Sequence, residues 1–362
     1  MFISCIDPYD IDLDKQNKVL VVNGLLSTDV QNLDTLRIQY SIDVGGVVKV
    51  QPALASQVVL YTSTDNREIK LIEKATGIFL LPSNFNINPS EKYTLRFTLP
   101  DNQQYESTPQ QILPTPRIEQ IYDIFNPKSR ISDDGKRVYS ANEIYVDFQD
   151  TPNQKNLYLW RYTHYEKIAY CASCQVNELY FRDKGCIQVD RFNSNPAYDY
   201  LCENAGQCFN IYKGKNVNIL SDVATDGRLV KGRLIAKIPF YSLDGCLIEI
   251  EQMCINPDIF LYHKILASQI QASGGLTDTP AAAIVGNIRN VNNPEEKIVG
   301  VFSLVNIEKK RYWIDRNNAV GIRESILGRD AVEEPRSPSR PPTAPCQLSA
   351  TRTPFKPKGW QQ

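Results

Sequence analysis

The sequence predicts an all-β protein, mainly strand with one conspicuous helix. An immunoglobulin- or transthyretin-like sandwich is followed by a second sandwich-like domain that carries a cysteine-rich insert. Three observations lead there. Apolar residues recur at every second position in many short runs bounded by turn residues, the mark of half-buried strands. Tyrosine is plentiful, at 19, and methionine scarce, at 2, which suits aromatic β-surfaces better than a helical core. A single stretch shows helical periodicity with signals at both ends.

Residues 1–16 read as an attachment site and tether. Cys5 follows the small apolar scrap Phe2-Ile3-Ser4, and Asp7, Asp10, Asp12 and Asp14 follow it as a solvated leash. This is the pattern of a lipidated cysteine. A secretory signal needs a basic start and roughly 7–15 apolar residues before the cleavage point. The reading therefore expects either a start further upstream or another route of export.

Residues 17–114 form the first expected sandwich. "LRIQYSIDV" places Leu36, Ile38, Tyr40, Ile42 and Val44 on one face. "YTLRFTLPDNQQYES" does the same with Tyr93, Leu95, Phe97 and Leu99, turns at Pro100-Asp101-Asn102 and returns through Tyr105. "VLVVNGLL", "VVLYTS" and "GIFLLPS" supply further strands. Pro114 and Pro116 oppose helix and sheet pairing and mark a boundary.

The second domain is expected over 115–327. Ile144, Val146 and Phe148 alternate in "EIYVDFQD", and "LYLWRYTHYEKIAY" alternates as well. "RLIAKIPFYSLDGCLIEIEQM" reads as a hairpin turning at Asp244-Gly245. The insert, 171–210, has loop composition. A helix is expected over about 257–273: Asn256 can cap it, Pro257 suits its first position, Asp258 favours its dipole and Gly274-Gly275 can end it. Ile259, Tyr262, Ile265, Leu266 and Ile270 form its apolar stripe. "AAIVGNIRNV", "IVGVFSLVN" and "KRYWID" read as strands, with "NNPEE" turning between the first two. From 328 to 362 the chain is a Pro/Ser-rich linker and tail.

Nine cysteines occur. Setting Cys5 aside leaves Cys171, Cys174, Cys186, Cys202, Cys208, Cys246, Cys254 and Cys346, an even set that fits disulfides of unknown pairing in an oxidising compartment. Two rivals stand beside this reading: buried thiols of a reducing compartment, and zinc held through Cys171-Ala-Ser-Cys174, although the five residues between Cys202 and Cys208 do not make the usual second half of such a site.

The chain is nearly neutral, with 40 basic against 41 acidic residues and no basic cluster, so it carries no nucleic-acid footprint. No run approaches the roughly 18 apolar residues of a membrane span. His164 and His263 are the two histidines, too few for a multi-histidine metal centre. No nucleophile elbow, zincin motif or phosphate loop occurs. Asp133-Asp134-Gly135 lacks the later ligands of a calcium loop. The chain is read as non-enzymatic, with no cofactor and no metal.

Four stretches together carry a resemblance. "CIDPYDIDLDKQNKVLVVNGLLS", "YTLRFTLPDNQQYESTPQQILPTPRIEQIY", "QIQASGGLTDTPAAAIVGNIRNVNNPEEKIVGVFSLVNIEKKRYWID" and "PCQLSATRTPFKPKGW" resemble segments of a family of Bacteroidota outer-membrane lipoproteins, the domain-of-unknown-function family four-two-four-nine. The resemblance implies acylation, for example by palmitate, at Cys5 and a place in the outer membrane facing the cell exterior. It also implies service as accessory or substrate-binding partner to a SusC-like TonB-dependent transporter in nutrient uptake. The alternatives are a free-standing adhesion or ligand-binding sandwich and, further off, a hydrolase in the second domain.

Overall fold

The computed structural model describes residues 18–27, 34–83, 85, 88–132, 135–169, 173–174, 178–181, 185–188, 199–200, 207–271, 284, 286–324 and 348–361. Strands dominate, as the alternating patterns require. In chain order they begin with β1 (Lys18–Ser27), β2 (Leu36–Val44), β3 (Val47–Pro52), β4 (Ser56–Thr62), β5 (Glu68–Lys70), β6 (Ile72–Ala75), β7 (Ile78–Leu80), β8 (Lys92–Thr98), β9 (Gln104–Ser107) and β10 (Gln110–Gln111). β11 (Ile118–Ile131), β12 (Val138–Gln149) and β13 (Leu157–Ala169) are long. β14 (Ser173–Cys174), β15 (Glu178–Phe181), β16 (Gly185–Gln188) and β17 (Asp199–Tyr200) are short pieces within the insert. β18 (Gln207–Lys213), β19 (Asn218–Ser221), β20 (Leu229–Pro239) and β21 (Cys246–Cys254) follow. Helix α1 (Pro257–Gln271), β22 (Ile288–Asn290), β23 (Phe302–Val305), β24 (Ile307–Ile314) and β25 (Arg352–Thr353) complete the order.

The described chain divides into two compact units. The first takes Met1–Thr115, Leu157–Leu159 and Met253–Ile307; the second takes Pro116–Asn156, Trp160–Gln252 and Glu308–Gln362. The division at 115/116 lies between Pro114 and Pro116. The segment 253–307 falls in the first unit, whereas linear order suggested the second domain. Pairing explains it. β23 runs parallel to β1, matching Gly24 with Phe302 and Ser27 with Val305, and β22 pairs antiparallel with β9. A chain segment with two such edges to join buries its apolar residues where those edges are.

The first unit is a sandwich of two sheets, ordered β23-β1-β2-β7-β6 with β3 beside β2, and β22-β9-β8-β4-β5 with β10 beside β8. Its core follows the period-2 prediction closely. Tyr93, Leu95, Phe97 and Leu99 are buried, as are Leu36, Ile38 and Ile42, and Phe97 stacks on Tyr105 at 5.0 Å. Val44, the last member of the β2 stripe, is instead exposed. Helix α1 starts at the expected proline. Asn256 contributes differently from a side-chain cap: its amide donates to the carbonyl of Gln111 (2.9 Å), while its own carbonyl accepts the first helical bond from Phe260 N–H (3.0 Å). Asp258 accepts from Gln110 Nε2 (2.7 Å) and from the Thr108 hydroxyl, which ties the first turn to 108–110.

The second unit pairs a sheet β11-β12-β20 with a sheet β24-β21-β13-β18-β25. The expected hairpin at Asp244-Gly245 is not formed: β20 pairs with β12 in one sheet and β21 lies between β24 and β13 in the other. The segment 240–245 crosses between the sheets, and its carbonyls are taken by a side chain, Arg316, rather than by a turn partner. Gly245 serves close approach instead of a turn, since a Cβ there would lie 2.2 Å from Trp313 Cζ2. The C-terminal tail is docked through β25, which pairs with β18, and through Trp360, packed edge-on against Phe209 (4.8 Å) and Trp313 (4.9 Å).

Trp360 is 6 % exposed and closes a small cluster with Phe209 and Leu247. Trp360→Ala is expected to lower unfolding stability by about 3 kcal/mol and to make 348–361 sensitive to protease, measured by denaturant melts and limited proteolysis. Unchanged protease resistance at those residues would contradict this docking.

Candidate functional site

A cavity of about 830 Å³ opens in the first unit beside β4, β5, β8 and β9. Strand alternation builds its wall. Tyr93, Leu95 and Phe97 of β8 point inward, so Thr94, Arg96 and Thr98 point outward. Register then aligns outward residues across the sheet: Arg289 opposite Glu106, Glu106 opposite Arg96, and Tyr61 opposite Glu68. A bulge between Ser56 and Val59, with Gln57 in the left-handed region (φ 50°), shifts β4 against β8 beside this row.

Glu106 is the hub of the row. It accepts Arg96 Nε at 3.2 Å and Arg289 Nε at 3.0 Å. The Arg96 guanidinium lies over the Tyr61 ring at 4.6 Å, and the Tyr61 hydroxyl donates to Glu68 at 2.6 Å. The lining itself carries Lys70 and Arg96 against Glu68, Glu73 and Glu106, and Arg289, off the lining, supplies a third cation through its pairing with Glu106. The row of paired charges offers matched donors, acceptors and an aromatic ring. The Arg289 guanidinium holds the Glu106 carboxyl below its ordinary range, and hydrogen bonding to Glu68 pushes the Tyr61 hydroxyl up. A general acid needs a raised carboxyl; Glu106 is driven the other way, and the lining holds neither histidine nor cysteine. The chemistry suits binding.

A second, more polar cavity of about 500 Å³ is lined by Lys18, Tyr40, Asp101, Gln103, Tyr105, Asn290 and Glu296, among others. The Tyr105 hydroxyl donates to Glu296 (3.2 Å), and burial, reinforced by that charge, pushes the phenol up.

The second unit holds a buried polar cluster that the β13 alternation creates. Tyr158, Trp160, His164, Glu166 and Ile168 share the inward face, so a histidine and a glutamate enter the core. Arg316 meets Glu166 with two parallel bonds, 2.6 Å to Oε1 and 3.0 Å to Oε2, and also donates to the carbonyls of Pro239 (3.0 Å) and Asp244 (3.1 Å). Cys246 hydrogen-bonds Glu166; burial, then the Glu166 charge, holds its thiol well above the usual range, so it is protonated and not a nucleophile. His164 stacks on Tyr212 at 4.8 Å, and neither of its ring nitrogens has a hydrogen-bond partner among the described residues. Burial, with Arg316 nearby, depresses it to about 3. Thiol, imidazole and carboxylate thus meet, but sealed from substrate.

Asp150, Asp222 and Asp226 also converge, with oxygens within 4.8 Å of one another. Their oxygen-only set is of the kind hard cations take, but backbone amides already engage each carboxylate: Gly227 N to Asp150 (2.8 Å), Asn156 N to Asp222 (2.6 Å) and Asn153 N to Asp226 (2.9 Å).

The sequence-derived candidates fare unevenly. Cys5, Cys171, Cys202 and Cys346 lie outside the described residues, as do Asp133 and Asp134, and of Cys174 and Cys186 only the strands are described. Cys208 is in a disulfide. Cys246 and Cys254 correct the expectation: both are buried thiols, not half-cystines. They stand at opposite ends of the nine-residue β21, too far apart to join each other. Six candidates for pairing remain, still an even set. His263 sits half-buried on α1, edge-on to Tyr262 at 5.5 Å. Arg96, Glu106, Glu166 and Arg316 escaped sequence reading, since each is an ordinary charge until register pairs it; only Glu166 carried a signal, as a charge in phase with Trp160.

A family described as Domain of unknown function (DUF4249) matches residues 6–311. The chain belongs to the DUF4249 family. No curated protein and no solved structure matches it. The match takes in the groove residues, the buried cluster except Arg316, and both strands that close the first sandwich.

Two predictions follow from the buried cluster. Arg316→Met strands the Glu166 charge and is expected to cost about 3–5 kcal/mol. Adding Glu166→Leu should recover much of that, read from denaturant midpoints; a double variant no better than Arg316→Met would refute the pairing. For His164, the folded value near 3 lies below the unfolded value of about 6.5. Its contribution is therefore complete above pH ~6.5 and is lost as pH falls toward 3, by about 1.4 kcal/mol per pH unit. His164→Phe should flatten the stability loss between pH 7 and 4.5 by up to about 3 kcal/mol, measured by urea melts at the two pH values.

Proposed function

We propose that this DUF4249 protein is a lipid-anchored, surface-exposed outer-membrane protein, and that its first unit binds a ligand destined for a SusC-like TonB-dependent transporter. The observation that carries ligand binding is the row Arg96–Glu106 with Tyr61–Glu68 on the wall of the 830 Å³ cavity, charge-balanced by Arg289, which joins Glu106 from beyond the lining. A row whose charges cancel binds a neutral, hydrogen-bonding molecule without attracting ions of either sign. The ionised state of Glu106 favours a binder over an acid catalyst. Cys5 and its acidic leash support acylation, and the sequence resemblance supports the transporter partner. No helix among the described residues is long and apolar enough to cross a membrane; an acyl anchor requires none.

The test is purification from native membranes in mild detergent, with unreduced mass spectrometry of the amino terminus. An acylated Cys5 and a co-purifying barrel are expected. In cells, Glu106→Ala with Arg96→Ala should slow uptake of the transporter's nutrient at least about tenfold, equivalent to losing roughly 1.4 kcal/mol of binding. An acylated protein recovered alone, with uptake unaffected by deletion of its gene, would favour a free-standing adhesion module instead.

A further inference from the structure

The β2–β3 hairpin ends in an apolar tip that no other part of the described chain covers. Val44, Val47, Val48 and Val50 are 41 %, 60 %, 67 % and 61 % exposed. Val44 pairs with Val47 across the turn, Asp43 with Val48 and Ser41 with Val50. Successive strand residues point to opposite faces, so Val47 and Val48 present methyl groups on both sides of the ribbon. The turn itself is Gly45-Gly46, both at positive φ (62° and 81°), and a Cβ added at either would meet nothing within 4 Å. Asp43 is occupied locally, accepting the Gly46 N–H at 2.8 Å.

The position of this tip is informative. Lys18, the first described residue, pairs with Ile42, and Ile42 pairs on its other side with Lys49. The segment from Cys5 therefore enters the sandwich at the same end of the sheet, and the tip projects about 7 Å beyond that row. Lys49 stands at its base, while the Lys18 ammonium lies over the Tyr40 ring at 3.5 Å. Extended, the chain from Cys5 to Lys18 reaches at most about 45 Å.

We infer that the Val44–Val50 hairpin tip is a second membrane contact, dipping into the lipid surface to which Cys5 is anchored while Lys49 meets lipid phosphates. The inference rests on the acylation proposed above. Two features select lipid as the occupant. Valines on both faces of the ribbon match a medium that surrounds the tip, whereas a docked protein would cover one face. An apolar tip with an exposed lysine, Lys49, at its base is suited to an anionic interface, where the ammonium group reaches the phosphates. A tether joined at that end keeps the tip at high local concentration near the bilayer. A single tether point leaves the first unit free to rotate, and a second contact orients it.

The experiment uses the full acylated chain reconstituted into vesicles of phosphatidylethanolamine and phosphatidylglycerol, with brominated acyl chains as quenchers. Val47→Trp fluorescence should be quenched at least twofold. Leu54→Trp, on a comparably exposed residue two positions past the end of β3 and about 20 Å from the tip, should not be. Val48→Asp placed in the Val47→Trp background should abolish the quenching. An acylated, vesicle-bound protein whose tip tryptophan is unquenched would overturn the inference while leaving the anchor intact. Concentration-dependent dimerisation in detergent-free buffer, lost in Val48→Asp, would also overturn it by assigning the tip to a second copy. If mass spectrometry instead finds Cys5 unmodified, the anchoring proposal fails by itself. Quenching with added vesicles would then still support the tip, and its absence would overturn it.

Discussion

The parallel pairing of β23 with β1 is the constraint on which the first unit depends. A sandwich assembled from residues up to Thr115 alone would leave β1 and β9 as open edges. Phe302–Val305 closes the one and Ile288–Asn290 the other. The price is topological: the chain builds most of the second unit before it returns, and such non-local pairing is slow to form. In exchange, Ile288, Ile298, Phe302 and Leu304 join Leu20, Val22, Tyr93 and Phe97 in one core. The groove inherits this closure, because Arg289, which shares Glu106 with Arg96, sits on the returning strand.

The second unit solves a different problem. Strand period sends every alternate side chain of β13 inward, and at two positions that side chain is polar. Glu166 is tolerated because Arg316 meets it with both nitrogens of its fork and also donates to the carbonyls of Pro239, Ser242 and Asp244, while its Nε has no partner among the described residues. A buried ion pair of this kind contributes little net stability over an apolar substitute. Its effect is to define where 240–245 must run, since the orphan carbonyls there have no strand partner. His164 is accommodated at a cost that depends on proton activity, through stacking on Tyr212 without hydrogen bonds to its ring.

Charges on the two units are therefore used in opposite ways. In the groove, Arg96 and Arg289 are largely exposed and their pairing with Glu106 is weak in water, which leaves them able to exchange partners with a ligand. In the β13 cluster the pair is sealed and static. The hairpin tip is a third case, apolar and outward, and it departs from the packing rule that the rest of the first sandwich obeys.

Periodicity by itself determined the all-β class and nearly every core position from Leu36 to Leu99, because burial on one face writes a two-residue repeat directly into the chain, while Pro257 marked the start of α1 and Pro114 and Pro116 bracketed the division between the units. The family resemblance was legible as well, because it is carried by local patterns. Only the tertiary structure decided that 253–307 belongs to the first unit, that β20 and β21 lie in different sheets, that Cys246 and Cys254 are thiols, and that Glu106 gathers two arginines. Those outcomes depend on which edges meet and in what register. A strand's sequence specifies the face it buries but not the partner beside it, so pairings between distant segments leave no mark that a reading along the chain can find.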